Sequence, residues 1–416
     1  MATIKPFRAI RPIAEKAQKV AALPYDVMSS DEAREMAKEN PDSFLHIDKA
    51  EIDLPACIDI YDERVYQKAK ENMDSMIQRG IFIQDEKPLF YIYRLTTNGK
   101  SQTGLVACTS IDEYLNNTIK KHELTRADKE IDRIRHVDTL NANTGPIFLA
   151  YHKNESVKKI LHSIIKQNKP VYDFVSEDCV EHTVWLIQEQ KYITELVTLF
   201  KNIPSLYIAD GHHRNASAVK VGLKRRKQKQ NYTGKEEFNY YLSVLFADDE
   251  LCIMDYNRVV KDLNGMTEEI FLEKLKEKFL VEKYQKEGCA RPQKRHQFGM
   301  YLHKNWYLLT AKNHIIQKDV VAALDVSILQ KEILEPLLAI KDPRTDKRID
   351  FVGGIRGLEA LQKKVDSQQM QVAFSMYPTS MAELTAVADE NKIMPPKSTW
   401  FEPKLRSGLF IHDLEE

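Results

Sequence analysis

The five residues Asp210-Gly211-His212-His213-Arg214 hold the densest set of reactive groups in the 416-residue chain. They follow the apolar run SLYIAD and precede ASAVKVGLKRRK, a pattern that predicts a short buried strand, a glycine turn and a helix in immediate succession. A glycine at a strand end lets a ligand come close to the backbone. The amides of the following helix start then point at that ligand, and the helix dipole favours an anion there. Phosphate suits that geometry. Arg214 adds a bidentate fork, His212 and His213 add donors that titrate near neutrality, and Asp210 adds a carboxylate able to hold a metal or take a proton. Neither a GxxxxGK[ST] run nor a kinase glycine loop with an HRD partner occurs, so the familiar nucleotide cradles are missing.

Three further segments offer charge. From Asp112 to His136 the sequence alternates in sign, as an exposed helix or charged loop would. The same stretch packs Lys120, Lys121, His122, Glu123, Arg126, Lys129, Arg133, Arg135 and His136 together, and cations beside carboxylates also describe a site for phosphate and metal. Near the carboxy terminus, DPRTDKRIDFVGGIRG carries Arg344 and MPPKSTWFEPKLRSG carries Lys404, both read as anion-binding surfaces.

Elements must position these groups. KPFRAIRP reads as a strand, and Ser29 or Ser30 as the N-cap of a helix starting just after Asp26. Val65, Ala69, Met73 and Ile77 recur at helical spacing between Glu63 and Gly80. Asn98-Gly99 between two β-rich runs predicts a hairpin, and Thr144-Gly145 a turn feeding a buried strand. Helices are expected at Glu155 to Lys166 and Gln188 to Lys201, then two strands around the acidic turn ADDE, then a helix from Met266. Beyond it, strands (GMYLHKNWYLLTAK, QVAFSMYP) alternate with helices at Asp325 to Leu334, Leu358 to Asp366 and Met381 to Glu390, the mark of an α/β or α+β fold. Without repeats or a Gly/Ser/Pro linker, any domain boundary is compact and expected near Gly265.

Composition sets outer bounds. Lys plus Arg and Asp plus Glu both number 61, so no global basic field steers the chain to nucleic acid. No apolar run approaches the ~20 residues that span a bilayer, and MATIKPFRAIRP lacks the apolar stretch of a secretory signal, so a cytoplasmic location is expected. The five cysteines are spaced for neither disulfides nor zinc and are expected to be buried, reduced thiols.

The ADGHHR turn with its small-residue helix resembles the DGHHR motif of free-serine kinases of the ParB/sulfiredoxin superfamily. The whole chain is similar to their long-chain members, formerly a domain of unknown function, through LPYDVM, NPDSFLHID, KKHELTR, NANTGPIF, MDYNRVVKDLNG and MPPKSTWFEPKLRSGLFIH. The resemblance implies a ParB/sulfiredoxin-like α/β core over residues 1–264 with an inserted charged segment, and a carboxy-terminal α/β region over 265–416 that completes the site. It implies phosphorylation of free L-serine to O-phosphoserine with Mg²⁺, the donor being ATP, ADP or inorganic pyrophosphate in different relatives. A compact donor wrapped by cations favours pyrophosphate here. Small molecules are then the partners, without nucleic acid or membrane. Pro24-Tyr25-Asp26 matches a Pro-x-Glu triplet whose Glu is the proposed base. A shorter Asp replaces that Glu, so Asp210 and Glu123 are the other candidates. Asp26, Asp210 and His212 are the expected catalytic residues, with Asp210 also the metal ligand. Gly211, His213, Arg214, Lys120, Lys121, Arg126, Arg133, His136, Arg344 and Lys404 are expected on phosphate, and Glu123, Asn143 and Thr144 on the substrate. A nucleotide-binding regulator and a metal-dependent phosphohydrolase using Asp210, His212 and His213 are the rival readings.

Overall fold

The computed structural model describes residues 1–229 and 231–415. The chain forms a mixed α/β fold of two compact units, Met1–Leu251 with Pro403–Glu416, and Cys252–Glu402. In the first unit a nine-stranded mixed sheet runs in the order Ile119–Lys120, Leu206–Asp210, Ile147–Tyr151, Tyr240–Ala247, Lys100–Ser110, Phe90–Thr97, Glu181–Ile187 and Tyr172–Val175. Ile4–Lys5 also pairs with Lys100–Ser110. The expected hairpin is present, with Thr97 opposite Lys100 across Asn98-Gly99.

Apolar side chains from the sheet and from the helices Glu155–Gln167 and Gln190–Phe200 make one core, including Leu105, Leu149, Ile208, Leu161 and Phe200. A second core lies around the helix Glu63–Gln78. This helix buries Val65, Ala69, Met73 and Met76, while Ile77 is 39% exposed. Met76 takes the inward place expected of Ile77 because the apolar stripe drifts with the 3.6-residue turn. Ser29 closes the helix Ser30–Ala37 with a full capping box to Glu32.

The site lies at the edge of the large sheet. The strand Leu206–Asp210 pairs in parallel with Ile119–Lys120 and antiparallel with Ile147–Tyr151, with a register irregularity between Ile208 and Asp210. The helix His212–Gln228 follows, its last turn carrying Arg225, Arg226 and Lys227 where the dipole favours cations. Small residues let it lie close to its neighbours: a Cβ on Gly222 would meet the Phe238 carbonyl oxygen at 2.4 Å. Ion pairs from Lys220 to Glu130 and from Lys224 and Arg225 to Asp138 fasten it to the helix Ala127–Leu140.

Two expectations in this unit change, and a third is refined. The charged stretch Asp112 to His136 is not a solvated face, since Glu113, His122, Glu130, Asp132, Arg133 and His136 are buried. Their charges are paired inside, as in Arg133 with Asp132 and Glu130 with Lys220. The two strands expected around ADDE are present but lie in different sheets. Tyr240–Ala247 belongs to the large sheet and Tyr256–Val260 to the second unit, because Asp248 turns back to bind His152 and the Lys153 amide. Of the free cysteines only Cys108 is buried, with Cys289 half-buried and Cys57, Cys179 and Cys252 exposed.

The second unit is built on a six-stranded antiparallel sheet ordered Phe279–Lys283, Asn305–Ala311, Gln297–Leu302, Val372–Ser375, Tyr256–Val260 and Ile349–Gly353. GMYLHKNWYLLTAK is therefore a hairpin, not one strand. The helix Glu359–Asp366 packs Leu361 and Val365 against Val259, Tyr301 and Ala373. The first crossing between units falls earlier than the boundary expected near Gly265, because Tyr256–Val260 is hydrogen-bonded into this second sheet. Among the described residues no helix is long and apolar enough to cross a membrane.

Candidate functional site

The turn after Leu206–Asp210 is made by Gly211, whose φ of 91° lies in the left-handed region that favours glycine. A Cβ there would stand 3.2 Å from the Arg214 guanidinium, so the glycine also admits that side chain beneath the turn. Arg214 donates through Nη1 to the Pro146 carbonyl at 2.6 Å, while its buried Nε has no hydrogen-bond partner. Asp210 accepts from the Gly211 amide at 2.9 Å and from Lys404 Nζ at 3.0 Å. Burial pushes the Asp210 carboxyl up, but Lys404, Arg214 and the Gly211 amide outweigh it and leave it below the usual carboxylate range. Arg214 is likewise opposed by burial, yet Asp26 and Asp210 hold it firmly protonated. The turn is thus ionised, with the cations Arg214 and Lys404 set around the half-buried Asp210 carboxylate.

Three histidines surround it. His213 Nε2 accepts from the Arg126 amide at 2.9 Å, which ties the start of Ala127–Leu140 to the turn. Burial lowers His213, against the pull of Asp26 and Glu130. His212 and His122 meet edge to face, ring centroids 4.5 Å apart, and His212 Nδ1 lies 3.8 Å from Glu123. Burial holds His122 down to about 4 and His212 well below its ordinary value, so both rings are neutral at pH 7. His122, Glu123 and His212 each offer a ligand atom, all within 4.8 Å of one another.

Beside the turn lie two cavities that share Tyr25, Asp48, Arg133 and His136. The smaller, about 20 Å³, reaches Thr144, Gly145 and Arg214. The larger, about 140 Å³, has Asp26, Lys49, Glu51 and Lys129 on its walls. That volume is far below the ~300 Å³ at which pockets begin to hold drug-sized ligands. Here the charges are matched: Arg133 bonds Asp132 at 2.8 Å and lies over the Tyr25 ring, and Lys49 pairs with Glu51 at 3.0 Å. Buried Asp48 accepts from Thr144 Oγ1 at 3.0 Å. His136 donates to the Ile47 carbonyl at 3.1 Å, and burial lowers it to about 4.

The structure therefore gathers Asp210, Gly211, His212, His213, Arg214, Glu123 and Lys404 at the turn. Asp26 lines the larger cavity and its charge acts on both His213 and Arg214. Lys120 sits on the strand beside Tyr207. Other expected residues are engaged elsewhere. The Lys121 ammonium rests over Tyr114, the Arg126 guanidinium pairs with Asp128, and Asn143 bonds the Leu242 amide and His412. Arg344 belongs to the second unit and is exposed, paired with Asp342. Sequence reasoning did not single out Asp48, and it counted His122 within the charged stretch without giving it a role. Both stand inside quoted motifs, NPDSFLHID and KKHELTR, where Asp48 and His122 are flanked by apolar or paired residues.

As for Mg²⁺, Asp210 offers the hard oxygen such an ion prefers and is 29% exposed. One of its oxygens is shared with Lys404, so the lysine and an ion would compete for the same charge.

Solved structures similar to the chain include a free serine kinase in complex with AMP, 14% identical over 74% of this chain and 91% of that chain, with a TM-score of 0.39. A conserved hypothetical protein from Pyrococcus furiosus is 14% identical over 74% and 94%, with a TM-score of 0.35. SbnI from Staphylococcus aureus, truncated at its carboxy terminus, is 10% identical over 73% and 85%, with a TM-score of 0.38. No curated protein sequence matches the chain. A family model described as a protein of unknown function, DUF1015, matches residues 4–327, and the chain belongs to that family.

Proposed function

We propose that the chain is a phosphotransferase that moves a phosphoryl group onto the hydroxyl of free L-serine, giving O-phospho-L-serine, with inorganic pyrophosphate as donor. The observation that carries this reading is the contrast in charge within one site. Arg214, Lys404 and a helix start face the turn, and a small cavity with matched charges of both signs lies beside it. Resemblance along the sequence supports the same reading.

In this scheme the turn amides, Arg214 and Lys404 clamp the donor's phosphate oxygens, stabilising charge as the bridging P–O bond breaks. Serine lies in the larger cavity, its ammonium towards Asp48 and its carboxylate towards Arg133 and Lys49. Its hydroxyl oxygen forms the new O–P bond, phosphate leaves, and the hydroxyl proton passes to Asp26. Mg²⁺ held by Asp210 and the donor's oxygens would supply further charge neutralisation. A volume of about 140 Å³ suits a compact acceptor, and Asp26 on its wall lies within the field of the cations that hold the donor.

A donor screen with L-serine, read by ³¹P NMR for O-phosphoserine, tests this reading. Product is expected with pyrophosphate, and its loss in Asp26→Ala. No product with pyrophosphate, ADP or ATP sinks the proposal. Product with a nucleotide alone removes pyrophosphate as the donor, and full activity in the variant removes Asp26 as the base.

A further inference from the structure

We infer that His122, Glu123 and His212 form a binding site for a divalent first-row transition ion of the Mn²⁺ to Zn²⁺ class, separate from any Mg²⁺ that accompanies a phosphoryl donor. The three ligand atoms come from two segments that the sheet fixes side by side. His122 and Glu123 follow the strand Ile119–Lys120, and His212 opens the helix after the parallel neighbour Leu206–Asp210. Their ligand atoms lie within 4.8 Å of one another. Bonds of about 2.1 Å to one ion need separations of roughly 3 to 3.5 Å. Glu123, 40% exposed, has room to swing inward by that difference, whereas His122 and His212 are held by packing at 1% and 6% exposure.

A second observation points the same way: the buried His212 ring has Nδ1 3.8 Å from Glu123, beyond hydrogen-bond reach, and Nε2 without a partner, a costly state for an imidazole unless something binds it. The donor set then decides the class. Two imidazole nitrogens and one carboxylate suit Mn²⁺ through Zn²⁺, while Mg²⁺ prefers all-oxygen shells and keeps its waters. Charge is tolerable, since Glu123 and nearby Asp210 set two negative charges against the ion. Lys121 and His213 face the same ring, but the Lys121 ammonium lies over Tyr114. Three protein ligands leave open positions for water or an anion's oxygen. An occupied site would staple the loop carrying His122 to the helix start, and would make His212 a metal ligand instead of a proton carrier.

Metal binding here does not depend on the serine kinase reading. Full-length protein stripped with chelator should take up one equivalent of Co²⁺ without serine or donor, giving visible d–d absorption that Zn²⁺ abolishes and a large excess of Mg²⁺ does not. Glu123→Gln, His122→Gln and His212→Gln should each weaken Co²⁺ binding by more than about tenfold. Glu123→Gln alters a partly exposed group and keeps the test sound if a histidine variant fails to fold. Co²⁺ bound no better than Mg²⁺, or bound equally well by Glu123→Gln and the folded histidine variants, would overturn the site.

Discussion

The turn at Gly211 and the cavity under Tyr25 lie side by side but handle charge in opposite ways. At the turn, cationic hydrogen-bonding capacity is left over: Arg214 keeps a bare Nε, and its counter-charges Asp26 and Asp210 act on it without a hydrogen bond to that nitrogen. In the cavity, Arg133 is answered by Asp132 and Lys49 by Glu51. An unbalanced site waits for an anion to complete it, whereas a balanced one suits a guest bringing both signs, such as a free amino acid. Donor and acceptor sides of a transfer reaction would differ in this way.

The comparison breaks most sharply at Arg214. Arg214→Ala removes the clamp on the donor and should lower kcat/KM for O-phosphoserine formation by about 1,000-fold, or ~4 kcal/mol. Arg214→Lys should recover little of it, because the fork geometry is lost along with the charge's spread. Activity close to the unmodified protein in Arg214→Ala would show that this spare guanidinium is not used on phosphate.

On the balanced side the expected effect is on folding. Asp132→Asn leaves Arg133 buried against Tyr25 with its main counter-charge gone and costs about 3 kcal/mol. A denaturant midpoint reads it directly. Tyr66, which donates to the same carboxylate at 3.0 Å, can still bond an amide oxygen, so the loss isolates the charge.

A third prediction concerns pH and both regions together. Burial lowers His122 and His136 to about 4 and His212 further, so the folded chain holds these rings neutral. The unfolded chain, with imidazoles near ~6.5, takes up protons first as pH falls. The stability contributed by each ring is therefore complete above the unfolded value and lost as pH drops from ~6.5 towards the folded one, by up to about 1.4 kcal/mol per pH unit per ring. Unfolding measured from about pH 7 to about pH 5 should show that slope, and His136→Gln should flatten it. An unchanged slope would mean that the cavity ring is already charged.

How much of this was legible in the sequence depends on how local the cause is. The strand, turn and helix around Gly211 follow from residues within one short window, and the Asn98-Gly99 hairpin likewise. Burial of charge was not legible: Arg133 and Asp132 are adjacent, and an alternating run reads the same whether it faces water or pairs inside. Asp48 gave no signal because its partner Thr144 is 96 residues away, and Lys404 reaches Asp210 across 194. The metal-binding geometry of His122 and His212 exists only because Ile119–Lys120 pairs in parallel with Leu206–Asp210, a topology no local pattern announces.

The smallest effect tests the wall between the two regions. Thr144 follows the buried strand Ala142–Asn143, and its hydroxyl donates to Asp48 at 3.0 Å, while a Cβ on Gly145 next to it would stand 3.4 Å from the Arg214 side chain. Thr144→Val keeps the shape but leaves Asp48 short of one donor, at a cost of about 1 kcal/mol in stability. If Asp48 receives the acceptor's ammonium, KM for serine should rise several-fold while kcat holds, because the lost bond oriented a binding group and not the transferring phosphorus. A fall in kcat with KM unchanged would instead place Asp48 on the donor side, with Arg214, and erase the division between a balanced and an unbalanced half.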